Sequence, residues 1–327
     1  MKRICREGNE ICLMVYRNIL DALGNTPLIH LSTMTGPDDA RILAKFEGLN
    51  VGGSIKTRTA YRMIQAAEAQ GLLGPDSIIV EPTSGNQGIG LALVGAVKGY
   101  KVIIIMPDSV SAERRLLITQ YGAELRLIHD DGDIGKAIDE CIATAKEMAA
   151  SDPRVFMPDQ FTNPENLQAH IRGTALEIIE QVDSPIHGFC SGVGTGGTLT
   201  GIGAVLKMRF PNLWICCAEP EHAAILSGGN IGSHMQMGIG DGLIPDILDT
   251  QLYNDINIVT DEEAISTTQA LAKQEGILCG ISSGTNVCTA QKMARKLGKG
   301  KTVVTILPDT GERYFSTPLF QQGWREK

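Results

Sequence analysis

PIHGFCSGVGTGGTLTGIGAVLKMR (185–209) is the stretch on which the fold turns. The run PIHGFC reads as a strand, a cluster of glycines follows, and 198–209 reads as a helix. Strand, glycine turn and helix in that order form the repeating unit of a parallel α/β sheet. The same alternation extends in both directions. Strands are expected at ARILAKF, DSIIVE, YKVIIIMP, AELRLI, LWICCAE, INIV and TVVTILP. Helices are expected over 56–70, 87–98, 112–121, 134–150, 166–182, 261–274 and 286–297. YKVIIIMP is almost wholly apolar, as a strand covered on both faces must be. The fold class is therefore α/β, with parallel sheets between helical layers. At 327 residues the chain is long enough for about two domains. No repeat or low-complexity linker shows where they divide.

Composition removes several function classes. The net charge is −8 and no Lys/Arg block occurs, so nucleic acid is not an expected partner. No apolar run approaches the roughly 20 residues that span a bilayer, and the first residues lack a secretory core, so a cytoplasmic protein is expected. Residues 1–13 precede the pattern and read as an extension. The eight cysteines include no C-x-x-C pair. Buried reduced thiols are expected of them, not a metal site.

Glycine is abundant, with 37 residues, and it clusters. NVGGSIKTR (50–58), EPTSGNQGIG (81–90), SGVGTGGTLTG (191–201) and GISSGT (280–285) each fall just before a helical pattern. Loops at the carboxyl ends of parallel strands converge on one cleft, and helix N-termini offer it free N–H groups. Four such loops imply a ligand with several anionic groups. A fifth segment, SGGNIGSHMQMGIGDGLIP (227–245), is a long glycine-rich loop of the kind that is often functional.

Taken alone, 191–201 is ambiguous. Gly192, Gly194 and Gly197 satisfy G-x-G-x-x-G after a strand, and Glu219 stands where a ribose-binding acid would. That reading gives an NAD(P)-dependent oxidoreductase. GTGGT could equally cradle a single phosphate. A nucleotide P-loop is excluded, because near GKGKT (298–302) Arg295 occupies the position of the required first glycine.

Read together and in order, the four segments, with GNTPL (24–28) and LPDTGERY (307–314), resemble the cysteine synthase/cystathionine β-synthase family of pyridoxal 5′-phosphate (PLP) enzymes. The resemblance runs from about residue 18 to 318. It implies the fold-type II architecture: two doubly wound parallel-sheet domains with the cofactor between them. The small mobile domain is expected over 54–163, and the large PLP-binding domain over 14–53 plus 164–327. A homodimer is implied as well. The resemblance makes Lys56 the Schiff-base lysine and, once substrate has displaced it, the base for the α-proton. Asn86 corresponds to the residue at the cofactor's 3′ oxygen, Gly194, Thr195, Gly196, Gly197 and Thr198 to the phosphate loop, and Ser282 to the residue at the pyridine nitrogen. Thr83, Ser84, Gln87 and Gln160 correspond to the grip on the substrate carboxylate.

Three positions depart from the family pattern. Gln87 stands where threonine is usual, and Thr57 where aspartate is common. Asp241, in GIGDGLIP, replaces a small or neutral residue in the loop facing the cofactor. Asp-Gly is also a common turn pair, which leaves Asp241 either a turn residue or a base aimed at the substrate β-carbon. The resemblance implies β-replacement on a small amino acid through aminoacrylate. Acetylserine and sulfide would give cysteine, cysteine and water would give serine and hydrogen sulfide, and homocysteine as acceptor would give cystathionine. The sequence matches no haem-binding extension or regulatory domain. A fold kept only for interaction is disfavoured by the intact Lys56, Asn86, Gln160 and Ser282.

Overall fold

The structure is a computed structural model that describes residues 15–83, 85–132 and 134–321. The extension expected over 1–13 and the carboxylate-binding role expected of Ser84 lie outside these residues. Among them are two sheets. One contains β1 (Leu28–His30), β2 (Arg41–Phe46), β7 (Gly188–Gly192), β8 (Trp214–Pro220), β9 (Asp255–Val259) and β10 (Thr302–Leu307), in the order β1-β2-β10-β7-β8-β9. The other contains β3 (Ile78–Pro82), β4 (Lys101–Pro107), β5 (Glu124–Ile128) and β6 (Val155–Phe156), in the order β5-β4-β3-β6. Every pairing is parallel except that of β1 with β2.

The near-continuous apolar strands are explained by burial on both faces. In the smaller sheet Ile79, Ile104 and Met106 face a core shared with Ala60, Ile64, Ile89 and Ile118, carried by α1 (Lys56–Ala69), α2 (Asn86–Lys98) and α3 (Ala112–Gln120). The intervening residues Ile78, Val80, Ile103 and Ile105 face Cys141 and Ala145 of α4 (Ile134–Ser151) on the other side. The larger sheet divides in the same way. Cys216 of β8 packs towards α8 (Asp261–Glu275) and α9 (Ile281–Leu297). Its neighbour Cys217 packs towards α6 (Ala175–Gln181) and α7 (Gly197–Arg209). The six described cysteines are buried and unpaired. Burial pushes the Cys279 thiol up to about 12.

The structure revises the expected elements in three places. Strands β1 and β6 have only three and two residues, too short for a period-2 signal. The helix expected over 166–182 is α5 (Pro164–Ala169), a π-turn (His170–Thr174) and α6. Its start follows local rules: the Asn163 side chain accepts the N–H of Glu165, and Pro164 supplies the first helical residue. Finally, GISSGT is not a loop before a helix. Residues 281–285 are the first turns of α9. Gly284 is required there because a Cβ would lie 1.9 Å from the Ala264 carbonyl oxygen of α8. The glycine serves helix–helix approach, which sequence presents as a helix breaker.

Candidate active site

The carboxyl ends of strands from both sheets open on one cleft. It is lined by Lys56, Thr83, Asn86, Gln87, Gln160, Gly194, Thr195, Gly196, Thr198, Asp241 and Ser282, together with Arg114 and Ile239. Apart from Ser84, which is not described, and Gly197, one residue into α7, every expected site residue is brought to this cavity.

Lys56 opens α1. Its Nζ is 3.4 Å from Thr195 Oγ1, and no carboxylate lies within ion-pair range among the described residues. Burial lowers the lysine pKa, and the charge of Asp241 partly offsets this. A lysine poised towards its neutral form is what nucleophilic attack on an aldehyde requires. The loop after β7 is shaped to hold an anion. At Gly194 a Cβ would meet the Gly238 carbonyl oxygen at 2.4 Å, and at Gly197 it would meet Asn166 Oδ1 at 2.2 Å. Gly196, with φ +82°, caps α7. Gly194, Thr195, Gly196 and Thr198 line the cleft beside the N-terminus of α7, whose free N–H groups suit an anion.

The carboxylate-gripping loops are tied to each other from beneath. Glu81, at the end of β3, accepts the backbone N–H groups of Asp159 at 3.0 Å and Gln160 at 3.1 Å. Burial pushes this glutamate up to about 8, against the pull of those two donors. Asn166 Nδ2 donates to the Gln160 carbonyl at 2.8 Å and to Thr195 Oγ1 at 3.0 Å, joining this loop to the anion cradle. The Gln87 amide accepts from the Thr59 hydroxyl at 2.7 Å, while its buried Nε2 has no partner among the described residues. Nothing in the structure explains the second departure: Thr57 keeps a buried, unpartnered hydroxyl.

Asp241 is not a surface turn residue. Its carboxyl lines the cleft, with Oδ2 placed 3.3 Å from where a Gly194 Cβ would stand. Burial raises its pKa, with Lys56 and His234 acting in the opposite direction. The rest of 227–245 supports this placement. Gly240 donates its N–H to the Val193 carbonyl at 2.9 Å, and His234 Nε2 lies 3.2 Å from the Gly240 carbonyl.

The dinucleotide reading fails at Glu219. Its carboxylate accepts the N–H groups of Leu226 and Ser227 and the Ser227 hydroxyl, so it is consumed by the turn after β8. A family model described as pyridoxal-phosphate dependent enzyme matches residues 19–309. The chain belongs to that family. Within it, the chain is 46% identical to a cysteine synthase of Staphylococcus aureus over 304 residues, covering 93% of this chain and 96% of the relative. Among solved structures, an O-acetylserine sulfhydrylase isoform 3 of Entamoeba histolytica superposes with a TM-score of 0.89 at 37% identity, covering 98% and 96% of the two chains. A hydrogen sulfide-producing enzyme of Fusobacterium nucleatum superposes with a TM-score of 0.86 at 38% identity, covering 92% of this chain and all of that one. The protein is thus a PLP-dependent enzyme of the cysteine synthase family with the fold-type II architecture. The cradle and the half-buried lysine fit the phosphate and aldehyde of PLP.

Several residues in and around this cleft were not singled out from sequence. Glu81 and Asn166 support the loops, and Ile138, Cys141 and Ile142 of α4 form an apolar wall of the cleft. Asp309 and Arg313 stood inside a quoted motif but without a role. The wall residues carry only an ordinary helical period, which gives no sign of a ligand.

Proposed function

We propose that the enzyme performs β-replacement on a small amino acid, making cysteine from acetylserine and sulfide. The observation that carries this is the meeting, in one cleft, of a half-buried lysine, an anion cradle and two loops suited to a carboxylate. In this reading Lys56 holds the cofactor and then takes the substrate α-proton. Asn86 serves the cofactor's 3′ oxygen, Ser282 the pyridine nitrogen, and residues 194–198 the phosphate. Thr83, Gln87, Gln160 and the undescribed Ser84 hold the substrate carboxylate. Bound PLP supplies the sink for the electron pair left at Cα. A serine hydroxyl at the ring nitrogen need not protonate it, and the milder sink suits elimination over transamination. We also propose 54–163 as a smaller mobile domain, a homodimeric assembly and a cytoplasmic location. Family membership supports the last two, and the separate sheet of β3–β6 supports the first.

A second reading, with cysteine as donor and water as acceptor, is favoured by one observation: a carboxyl group inside the cleft at Asp241. Deprotonated, it would activate water at the β-carbon and repel hydrosulfide; protonated, it would do neither. Its raised pKa makes the balance pH-dependent. Sulfide release from cysteine should therefore rise with pH relative to cysteine synthesis.

The test is to give the PLP-loaded enzyme cysteine alone and to quantify sulfide, serine and pyruvate. Serine with stoichiometric sulfide, abolished by Asp241→Asn, would establish water as acceptor. Little sulfide, or sulfide with pyruvate, together with rapid cysteine formation from acetylserine, would establish the synthetic direction. No turnover of either substrate would refute both.

A further inference from the structure

The segment LPDTGERY has no part in the reading above, yet its Pro308 lines the cleft. Its Pro308 carbonyl accepts the N–H of Ile55 at 2.9 Å, just before Lys56. Bridges from Ser54 to Asp309 and from Cys279 to Thr310 place it between the starts of α1 and α9. From this position two of its side chains reach Asn86. Asn86 Nδ2 donates to Asp309 Oδ2 at 2.7 Å, and Arg313 donates from Nη1 to Asn86 Oδ1. Both partners are themselves held. Asp309 is 0% exposed and accepts the Tyr314 hydroxyl at 2.7 Å on the same oxygen. Arg313 is 4% exposed and donates from Nη2 to the Gly52 carbonyl.

A carboxylate only accepts and a guanidinium only donates. The amide between them therefore has a single satisfactory orientation. Flipped, it would turn its carbonyl to the carboxylate and its N–H groups to the guanidinium, losing two charge-assisted hydrogen bonds. In the orientation seen, one N–H of Nδ2 is committed to Asp309 and the second remains for the cleft that Asn86 lines.

We propose that Asp309 and Arg313 are positioning residues that lock the Asn86 amide with one N–H turned towards the cofactor's 3′ oxygen. This rests on the assignment of Asn86 to that oxygen. A donor at that place favours the resting form in which the 3′ oxygen is anionic and the proton sits on the Lys56 nitrogen. A flipped amide would offer a lone pair instead and favour the form with the proton on oxygen. The two forms absorb at different wavelengths, so the lock has a readout other than turnover.

The experiment compares the absorption spectra of the wild type, Asn86→Ala, Arg313→Gln and Asp309→Ala, each with one PLP bound per chain and a native circular dichroism spectrum. Arg313→Gln substitutes a neutral amide that can donate or accept, so it removes one of the two partners that fix the orientation, leaving Asp309, without opening a large cavity. Both partner variants are expected to lower the ratio of the long- to the short-wavelength band by about fivefold, the change that loss of one ordinary hydrogen bond brings to an equilibrium. Asn86→Ala should shift it the same way, and Arg313→Gln should add nothing in the Asn86→Ala background. If Asn86→Ala shifts the bands but Arg313→Gln does not, the positioning role is wrong while the assignment of Asn86 stands. If Asn86→Ala leaves the spectrum unchanged, the assignment itself falls, and the inference with it. Should Asp309→Ala fail to fold, the comparison of Arg313→Gln with Asn86→Ala decides alone.

Discussion

Replacing Arg58 by methionine should destabilise the enzyme through charge imbalance far more than through lost volume. Arg58, two residues beyond Lys56 on α1, forks onto two carboxylates. It reaches Glu47 through Nε at 2.8 Å and Nη2 at 2.9 Å, and Glu177 through Nη1 at 2.6 Å and Nη2 at 2.7 Å. Lys45 closes the group with an ion pair to Glu177 at 2.7 Å. Lys45 and Glu47 are 0% exposed and Arg58 is 5% exposed, so the two cations and two anions balance away from water. Methionine fills most of the space but leaves a net negative charge buried. Removal of one partner from such a cluster costs about 3–5 kcal/mol. Urea unfolding of the PLP-loaded protein, monitored by circular dichroism, measures this directly. Adding Glu177→Gln restores neutrality, so the double variant should lose about 1–3 kcal/mol less than the sum of the singles. The acid limb should move too. Burial would raise Glu177, but the hydrogen bonds and charge of Arg58, then of Lys45, bring it down to about 2. Its contribution is present above the ordinary value of 4.5 and is lost as pH falls towards 2. In Arg58→Met that loss should begin at higher pH. A cost below about 1 kcal/mol, with additive double-mutant behaviour, would refute the claim that the cluster acts as a balanced buried unit.

Glu81→Gln should change the pH dependence of stability. The Glu81 pKa is raised from 4.5 to about 8, so its contribution is present below 4.5 and lost as pH rises through 8; urea midpoints should shift in favour of the variant between mildly acidic and mildly alkaline buffer. Gly197→Ala should push Asn166 off Gln160 and Thr195, since the new Cβ would fall 2.2 Å from its Oδ1; equilibrium dialysis should show weaker PLP binding, with about 1–3 kcal/mol lost in stability. Gln87→Met removes the unpartnered buried Nε2 from the cleft; the amino-acid KM should rise about tenfold with a smaller effect on kcat, as for a lost ground-state hydrogen bond.

The architecture and much of the site were legible in the chain because their signals are local. Apolar runs such as YKVIIIMP identify buried parallel strands within a few residues, and glycine clusters mark where backbone must approach a ligand. Taken in order with GNTPL and LPDTGERY, those clusters resemble one family, and that resemblance is what pointed to PLP and made Lys56 the expected Schiff-base lysine. Only the tertiary structure decided what depends on distant partners. Gly284 reads as a breaker until α8 is seen against it. Asp241 could be a surface turn residue until the loop is seen to bring it to the cleft. Glu219 fits a ribose acid by spacing, but the turn at Leu226 and Ser227 takes its carboxylate. The Asn86 amide is oriented by residues 223 and 227 positions away. Periodicity reports which face of an element is buried; it carries nothing about which polar atoms meet there, because hydrogen bonds and ion pairs depend on three-dimensional distance and not on spacing along the chain.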